Sequence, residues 1–111
     1  MQIAHCNYFS IVSLIIEELM GIVFEWDNAK AKTNILKHRV SFEESTTIFG
    51  DDRAITIVSP IHSNEKRFVT IGLSAKMRIL VVVHTDRGEK IRIISARPAS
   101  RKERKQYNYE T

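Results

Sequence analysis

The side chains of this 111-residue sequence that could do chemistry are cations and histidines near the ends of predicted strands and helices. Cleavage of RNA without a metal ion requires cationic donors that stabilise the charge developing on the phosphoryl oxygens, and a general base that accepts the 2′-hydroxyl proton increases the rate further. Arginine suits the first task because its planar guanidinium can hold two phosphate oxygens. The candidates for this catalytic set are Arg67, Arg97, His84, Lys37 and His38.

The two arginines also have structural interpretations. Arg97 ends the last predicted strand, where it could bind phosphate or form an ion pair with Glu25 or Glu103. The sequence favours neither role. Arg67 opens an earlier strand, where a surface charge is the more common role.

The other three candidates have structural alternatives as well. His84 could be a half-buried histidine bonded to a backbone carbonyl, which is at least as compatible with its strand as a general base. His38 lies at the end of the first predicted helix, where the helix dipole favours a cation. Lys37 beside it fits either a phosphate ligand or a solvated charge.

Positive charge is concentrated near the C-terminus. The net charge is +4, but residues 90–105 alone carry +6 and the rest of the chain carries −2. Such a patch favours a polyanion or an acidic protein as partner, although a solvated surface helix has the same composition. The candidate RNA-binding residues in this stretch are Arg92, Arg101, Lys102, Arg104 and Lys105.

Several kinds of site are excluded by composition and motif. The single cysteine, Cys6, excludes an internal disulfide and a zinc site built on cysteines. The four histidines lack the spacing of metal ligands, and no phosphate-binding loop, dinucleotide fingerprint or nucleophile elbow is present. We therefore expect no metal and no cofactor.

The N-terminal segment predicts neither a membrane span nor a secretory signal. Its apolar run, residues 9–16, is shorter than the roughly 20 residues of a span, and no basic residue precedes it. Residues 1–19 could form an extra amphipathic helix, or they could be an extension, through a mis-annotated start or a recent addition, of a shorter protein that begins at Met20. Residues 20–111 are predicted to form a single domain without membrane contact.

Local signals predict an α+β domain that would position the candidate residues. Helix N-caps are predicted at Asp27, Ser41 and Ser100, the last two in capping boxes with Glu44 and Glu103. Four strands with short connections predict an antiparallel β-meander, over 53–58, 67–73, 79–85 and 91–97. With a first strand at 21–26, the order is β-α-α-β-β-β-β-α: a meander with two N-terminal helices and a basic C-terminal helix.

The first predicted helix follows Asp27 and reaches Lys37 or His38. Its apolar spacing predicts one buried stripe, made of Ala29, Thr33, Leu36 and Val40. Asn34 is predicted to lie on a more exposed face.

A series of short motifs, in order and without large gaps, resembles the BrnT family over residues 21–109. The motifs are FEWD at 24–27, NILKH at 34–38, VSFEE at 40–44, EKRF at 65–68, VVHT at 82–85, IRIISAR at 91–97 and RKER at 101–104. The combination is far more specific than any single motif.

The resemblance implies a toxin of a type II toxin–antitoxin pair with a RelE-like fold. Such a toxin would be a cytoplasmic endoribonuclease that cleaves RNA and blocks translation. Its partner would be a BrnA-like ribbon-helix-helix antitoxin, in a heterotetramer with two of each chain. Operator DNA would be bound only through the antitoxin.

Carried over by position, the resemblance implies that Arg67 and Arg97 bind the scissile phosphate. Lys37, His38 and His84 are second choices, and Arg92 and the terminal helix would hold flanking RNA. Glu25 and Glu103 are expected to be structural, through pairing and capping.

Two positions depart from the family pattern. Arg39 stands where the family usually has a glycine that ends the helix in the left-handed conformation, which costs a non-glycine residue roughly 1 kcal/mol. Pro98 stands where a polar or basic residue is common. The alternative function is a non-catalytic module, a degenerate toxin that only binds an antitoxin or RNA.

Overall fold

The computed structural model describes residues 21–59 and 65–110, together with residue 11. The proposed extension over residues 1–19 lies outside the described residues, except for that one position. Within the described residues no helix is long and apolar enough to cross a bilayer.

The first helix, α1, covers Asn28–His38, and both of its ends follow the predicted signals. Asp27 Oδ1 accepts a hydrogen bond from the Lys30 amide at 3.0 Å, which satisfies one of the free N–H groups of the first turn. At the other end Arg39 adopts the left-handed conformation, with φ 57°, and its N–H donates to the Ile35 carbonyl at 2.8 Å. The chain thus turns here as a glycine-terminated helix would.

A short second helix, α2, covers Phe42–Thr46 and continues as a 3₁₀ turn over Thr47–Gly50. Half of its predicted capping box is present, because Ser41 Oγ accepts from the Glu44 amide at 3.0 Å. The Glu44 side chain does not return to Ser41. It binds Ser74 and Arg78 instead, where a buried carboxylate gains charged and hydroxyl donors.

Five strands form one sheet in the order β1-β5-β4-β3-β2. They are β1 Val23–Glu25, β2 Ile55–Ser59, β3 Arg67–Leu73, β4 Ile79–Arg87 and β5 Lys90–Pro98. Strands β2 to β5 form the predicted antiparallel meander, and helix α3, Arg101–Glu110, follows as predicted.

The sheet as a whole is mixed, because β1, whose pairing the sequence left unassigned, pairs with β5 in parallel. Short turns impose antiparallel pairing only on the strands that they connect. The chain leaves β1 through two helices and re-enters the sheet at its opposite edge, so no hairpin fixes the direction of β1 relative to β5.

The two faces of the sheet are covered unequally. One face, here called the helical face, packs on α2 and the 3₁₀ turn through a core that includes Phe42, Ile48, Leu80 and Val82. The other, here called the open face, carries the cluster of Ile71, Val81, Ala99 and Tyr107, in which α3 contributes Tyr107. Because successive side chains of a strand alternate between faces, strand register assigns the remaining residues to one face or the other.

The buried side of α1 differs from the predicted stripe. Asn34 is buried, whereas Leu36 is 85% exposed and Ala29 and Thr33 are also exposed. The Asn34 amide donates to the Ala96 carbonyl at 2.8 Å and to the Val40 carbonyl at 2.9 Å, and its oxygen accepts from the Ala96 amide at 3.1 Å. Strand β1 reaches only the first part of β5, so Asn34 takes the place of a neighbouring strand at Ala96.

Candidate functional site

A row of polar side chains crosses four strands on the open face. Arg67 of β3 stands opposite Thr85 of β4, Thr85 opposite Arg92 of β5, and Arg92 opposite Glu25 of β1. Neighbouring strands are about 4.8 Å apart, so the backbones at Arg67 and Arg92 lie on the order of 10 Å from each other. The buried Thr85 stands between them, and its hydroxyl donates to the Lys66 carbonyl at 2.7 Å.

Carboxylates hold both arginines of this row in extended positions. Arg92 Nη1 donates to Glu25 Oε2 at 2.7 Å, while Arg67 Nε lies 3.4 Å from Glu65 Oε2. Arg87 donates to the other oxygen of Glu65 at 3.2 Å. Burial acts to raise the pKa of Glu65, but the hydrogen bonds from Arg67 and Arg87 outweigh it and hold that pKa below its ordinary value.

Arg97 lies on the same face, opposite Val81 and nearer to α3. Its guanidinium donates to both oxygens of Glu103, with Nη1–Oε1 at 2.7 Å and Nη2–Oε2 at 2.8 Å. These hydrogen bonds raise the pKa of Arg97 and lower the pKa of Glu103 to about 2. Of the two ion pairs considered for Arg97, the one with Glu103 is present, and Glu25 pairs with Arg92 instead.

The edge of β5 connects the open face with a groove beside α1. Ser95 stands between Arg92 and Arg97 on the open face, opposite Val83. Ser95 also lines a groove of about 280 Å³ with cations of α1, and the full lining is Ala29, Lys30, Thr33, Asn34, Lys37, His38, Ile94 and Ser95. Lys37 and His38 therefore lie around the β5 edge from the arginines and not between them.

His84 lies on the opposite side of the sheet from the arginines. It is buried on the helical face, edge-on to the Phe49 ring at 4.9 Å and stacked on the Phe68 ring at 5.7 Å. Its Nε2 is 2.7 Å from the hydroxyl oxygen of Thr70, not from a backbone carbonyl. Burial lowers the pKa of His84 to about 4, although the charge of Asp86 acts in the other direction.

The candidate RNA-binding cations of α3 form an exposed group that begins next to Arg97. Arg101, Lys102, Arg104 and Lys105 are all exposed, and Arg104 Nη1 also donates to the Ala99 carbonyl at 2.9 Å. The predicted capping box is present in both directions: the Ser100 amide donates to Glu103 Oε1 at 2.8 Å, and the Glu103 amide donates to Ser100 Oγ at 3.2 Å.

Two site residues were not identified from the sequence. Glu65 and Arg87 flank Arg67, and the Glu65–Arg67 spacing of two residues was the available signal, since such residues share one side of an extended chain. Arg87 could be placed beside Arg67 only from the pairing of β3 with β4, which the sequence does not give. Among the described residues, no group of three or more His, Cys, Asp or Glu side chains is placed to hold a metal ion.

Comparison with known proteins identifies a family that matches the chain and a crystal structure that is similar to it. Residues 26–103 match the family described as "Ribonuclease toxin, BrnT, of type II toxin-antitoxin system". The crystal structure of the Brucella abortus ribonuclease toxin BrnT is similar to this chain, with a TM-score of 0.53 and 26% sequence identity over 72% of this chain and 97% of that chain. No curated protein matches the sequence.

Proposed function

Because the chain belongs to the BrnT family of ribonuclease toxins of type II toxin–antitoxin systems, we propose that it cleaves RNA without a metal ion on the open face of its sheet. The observation that carries this proposal is the row formed by Arg67, Thr85 and Arg92 on three adjacent strands of that face. The two arginines stand one strand away on either side of a buried threonine, so both side chains could reach a phosphate bound over Thr85 once they leave Glu25 and Glu65.

The reaction is an internal transfer at phosphorus. The 2′-oxygen of the RNA bonds to the adjacent phosphorus while the bond to the 5′-oxygen breaks. The 2′-hydroxyl loses its proton and the departing 5′-oxygen gains one, which leaves a 2′,3′-cyclic phosphate and a 5′-hydroxyl. Arg67 and Arg92 stabilise the negative charge that develops on the phosphoryl oxygens, and fixed donors of this kind contribute roughly 10²–10³-fold in rate.

The flanking RNA would run in two directions from the arginine row. In one direction Arg97 and the exposed cations of α3 bind phosphates on the same side of the sheet. In the other direction the RNA strand passes Ser95 and enters the groove that Lys37 and His38 line. In this proposal Lys37 and His38 bind flanking phosphates and do not take part in the proton transfer.

His84 is assigned a structural role. Its side chain is 5% exposed, and its low pKa keeps the ring neutral within an aromatic contact between Phe49 and Phe68. Because the sheet separates it from Arg67 and Arg92, the ring has no path to the 2′-hydroxyl of an RNA held there.

The family membership implies an antitoxin partner. We infer that the partner is a BrnA-like ribbon-helix-helix protein, that two copies of each chain form a heterotetramer, and that operator DNA is contacted through the antitoxin. We also infer a RelE-like fold and a cytoplasmic toxin that blocks translation by cutting mRNA. The basic surface of this chain supports partners that are RNA or an acidic protein.

The growth phenotype of cells that express the chain alone tests this function. Expression without the antitoxin is expected to stop growth, and combined Arg67→Ala and Arg92→Ala substitution is expected to relieve the arrest. Arg53→Ala is the matched control, since Arg53 is an exposed arginine outside the row. Harmless expression of the folded wild-type chain would contradict the proposal.

One observation favours the alternative function, a degenerate toxin that binds an antitoxin or RNA without cleavage. Arg67, Arg92 and Arg97 each already have a carboxylate partner, so an RNA phosphate must compete with Glu65, Glu25 or Glu103. The alternative predicts tight antitoxin binding and no cleaved RNA. Only a cleavage assay separates the two functions.

A further inference from the structure

An apolar surface remains uncovered at the C-terminal end of α1 and the β3–β4 turn. Leu36 is 85% exposed, Met77 is 76% exposed and Ile35 is 45% exposed. Ile35 and Leu36 line a shallow groove of about 590 Å³ together with Arg39, Lys76 and Arg78. These five residues and Met77 are called the Leu36–Met77 surface below.

Two residues of this surface have strained backbones. Arg39 and Met77, with φ of 57° and 63°, are the non-glycine residues with positive φ in the described parts of the chain. A side chain in this conformation is strained, and glycine avoids that strain. The turn geometry around Met77 is fixed, since its amide donates to the Ser74 carbonyl and the Ser74 amide donates to the Arg78 carbonyl, both at 2.9 Å.

Strain of this kind is informative because folding does not require the side chain. Glycine would adopt the positive φ of this turn without the strain that Met77 has. A polar side chain would also be more favourable in water than a methionine that is three-quarters exposed. Strained residues concentrate where a side chain has a function. The two strained residues border the same groove, and Arg78 Nη2 donates to the Arg39 carbonyl at 2.7 Å, which connects the two turns.

The charge around the apolar residues is positive. Helix α1 contains no acidic residue, and Lys32 lies one helical turn before Leu36 on the same side. The nearby carboxylate, Glu44, is 2% exposed and its oxygens accept from Arg78 and Ser74. The charge of Lys76 also acts on Glu44, and the side chains of Arg39, Lys76 and Arg78 form a basic rim around the apolar residues.

We propose that the Leu36–Met77 surface is the docking site of an acidic amphipathic helix of the antitoxin. This inference rests on the proposed function for the existence of that partner. The apolar side of such a helix would cover Leu36 and Met77, and its carboxylates would face Arg39 and Lys76. Charge complementarity favours this occupant over a second copy of the chain, which would bring two basic rims together.

The docking site lies far from the arginine row. Arg67 is the first residue of β3, and the turn with Met77 follows the last, so the strand separates them by about 20 Å. The helix would therefore hold the antitoxin on the toxin without occupying the row. A separate antitoxin segment would then cover the open face.

The affinity of variants for the antitoxin of this toxin–antitoxin pair tests the proposal. Leu36→Asp and Met77→Asp are each expected to weaken binding by about 30-fold or more, with RNA cleavage at the wild-type rate. Val58→Asp is the control, because Val58 is 53% exposed on the edge strand β2, at the other side of the sheet. Wild-type affinity of both Leu36→Asp and Met77→Asp would overturn the proposal.

Met77→Gly separates docking from folding. Glycine relieves the positive φ, so the melting temperature is not expected to fall, whereas affinity for the antitoxin is expected to fall with the apolar side chain. A melting temperature that falls together with unchanged affinity would show a structural role and overturn the proposal.

Hydrogen exchange of the wild-type complex provides a measurement without variants. Protection at residues 35–39 and 74–78 on antitoxin binding would support the docking site, and protection confined to the open face would overturn it. Failure of the proposed function is distinguishable, because it would appear as absent RNA cleavage with antitoxin binding intact.

Discussion

Glu103 holds Arg97 through two parallel hydrogen bonds, and one of the same oxygens accepts the Ser100 amide at 2.8 Å. One carboxylate thus caps α3 and fixes the guanidinium that ends the open face. The sequence predicted the capping box, and the structure shows in addition that Glu103 binds Arg97. The position of α3 against the sheet and the position of Arg97 depend on the same side chain.

The ion pair between Arg97 and Glu103 is expected to make stability depend on acid pH. The pKa of Glu103 falls from an ordinary 4.5 to about 2 in the folded protein, so its contribution is complete above pH 4.5 and is lost as pH falls toward 2. Glu103→Gln is expected to cost about 1 kcal/mol at pH 7 and much less at pH 2.5. Urea unfolding at both pH values measures this, with Glu89→Gln in the exposed β4–β5 turn as control. An equal cost at both pH values would contradict the assignment.

Glu103 is also expected to weaken RNA binding, because it competes with phosphate for Arg97. Glu103→Gln is expected to tighten binding of a single-stranded RNA several-fold, and Arg97→Ala is expected to weaken it. Fluorescence anisotropy at two salt concentrations measures both effects, and the difference should shrink in high salt. Weaker RNA binding by a folded Glu103→Gln variant would show that Arg97 needs Glu103 in order to bind.

His84 is expected to reduce stability as the pH falls. Its pKa is about 4 in the folded protein and about 6.5 when unfolded, so below pH 6.5 the unfolded chain gains a proton that the folded chain excludes. The loss amounts to roughly 3 kcal/mol between pH 7 and pH 4. His84→Gln lacks this titration, so its stability deficit relative to wild type should narrow over that interval. An NMR titration of the His84 ring with a pKa near 6.5 would contradict the account.

Asn34 is expected to be among the most sensitive polar positions. Asn34→Ala removes three buried hydrogen bonds and leaves the Ala96 amide and two carbonyls without their partner, which should cost about 3 kcal/mol. Thr33→Ala is the matched control, because that exposed hydroxyl bonds only to the Ala29 carbonyl one turn earlier. Urea unfolding measures both, and a similar small loss for the two variants would refute the role of Asn34 at the strand edge.

Local sequence signals predicted the helices and strands, whereas the pairing of distant strands determines which side chains meet at the candidate site. The caps at Asp27, Ser41 and Ser100 depend on neighbours within a few residues, and the sequence was sufficient for them. The left-handed turn at Arg39 was expected only from the glycine that is usual in the family. The parallel pairing of β1 with β5 depends on residues 67 positions apart and has no local signature.

The same reason explains why Arg67 and His84 were grouped together from the sequence. The sequence placed each residue in the correct strand. The face of the sheet that a residue occupies, however, reverses when the pairing between two strands shifts by one residue. A bulge in β5 at Ile94 adds such a shift in the pairing with β4, and it places Arg92 and Arg97 on one face although they are five residues apart. Asn34 was expected to be exposed because periodicity describes the apolar side of a helix and does not detect an amide that completes a sheet edge.

RNA cleavage by the purified full chain in EDTA, with chemical analysis of the fragment ends, tests the central claim most directly. The account predicts 2′,3′-cyclic phosphate and 5′-hydroxyl ends, rates about 100-fold lower for Arg67→Ala and for Arg92→Ala, and a wild-type rate for Arg53→Ala. Wild-type rates for both row variants would contradict the assignment of the site. Intact RNA with the folded wild-type chain, on free RNA and on translating ribosomes alike, would contradict the activity itself.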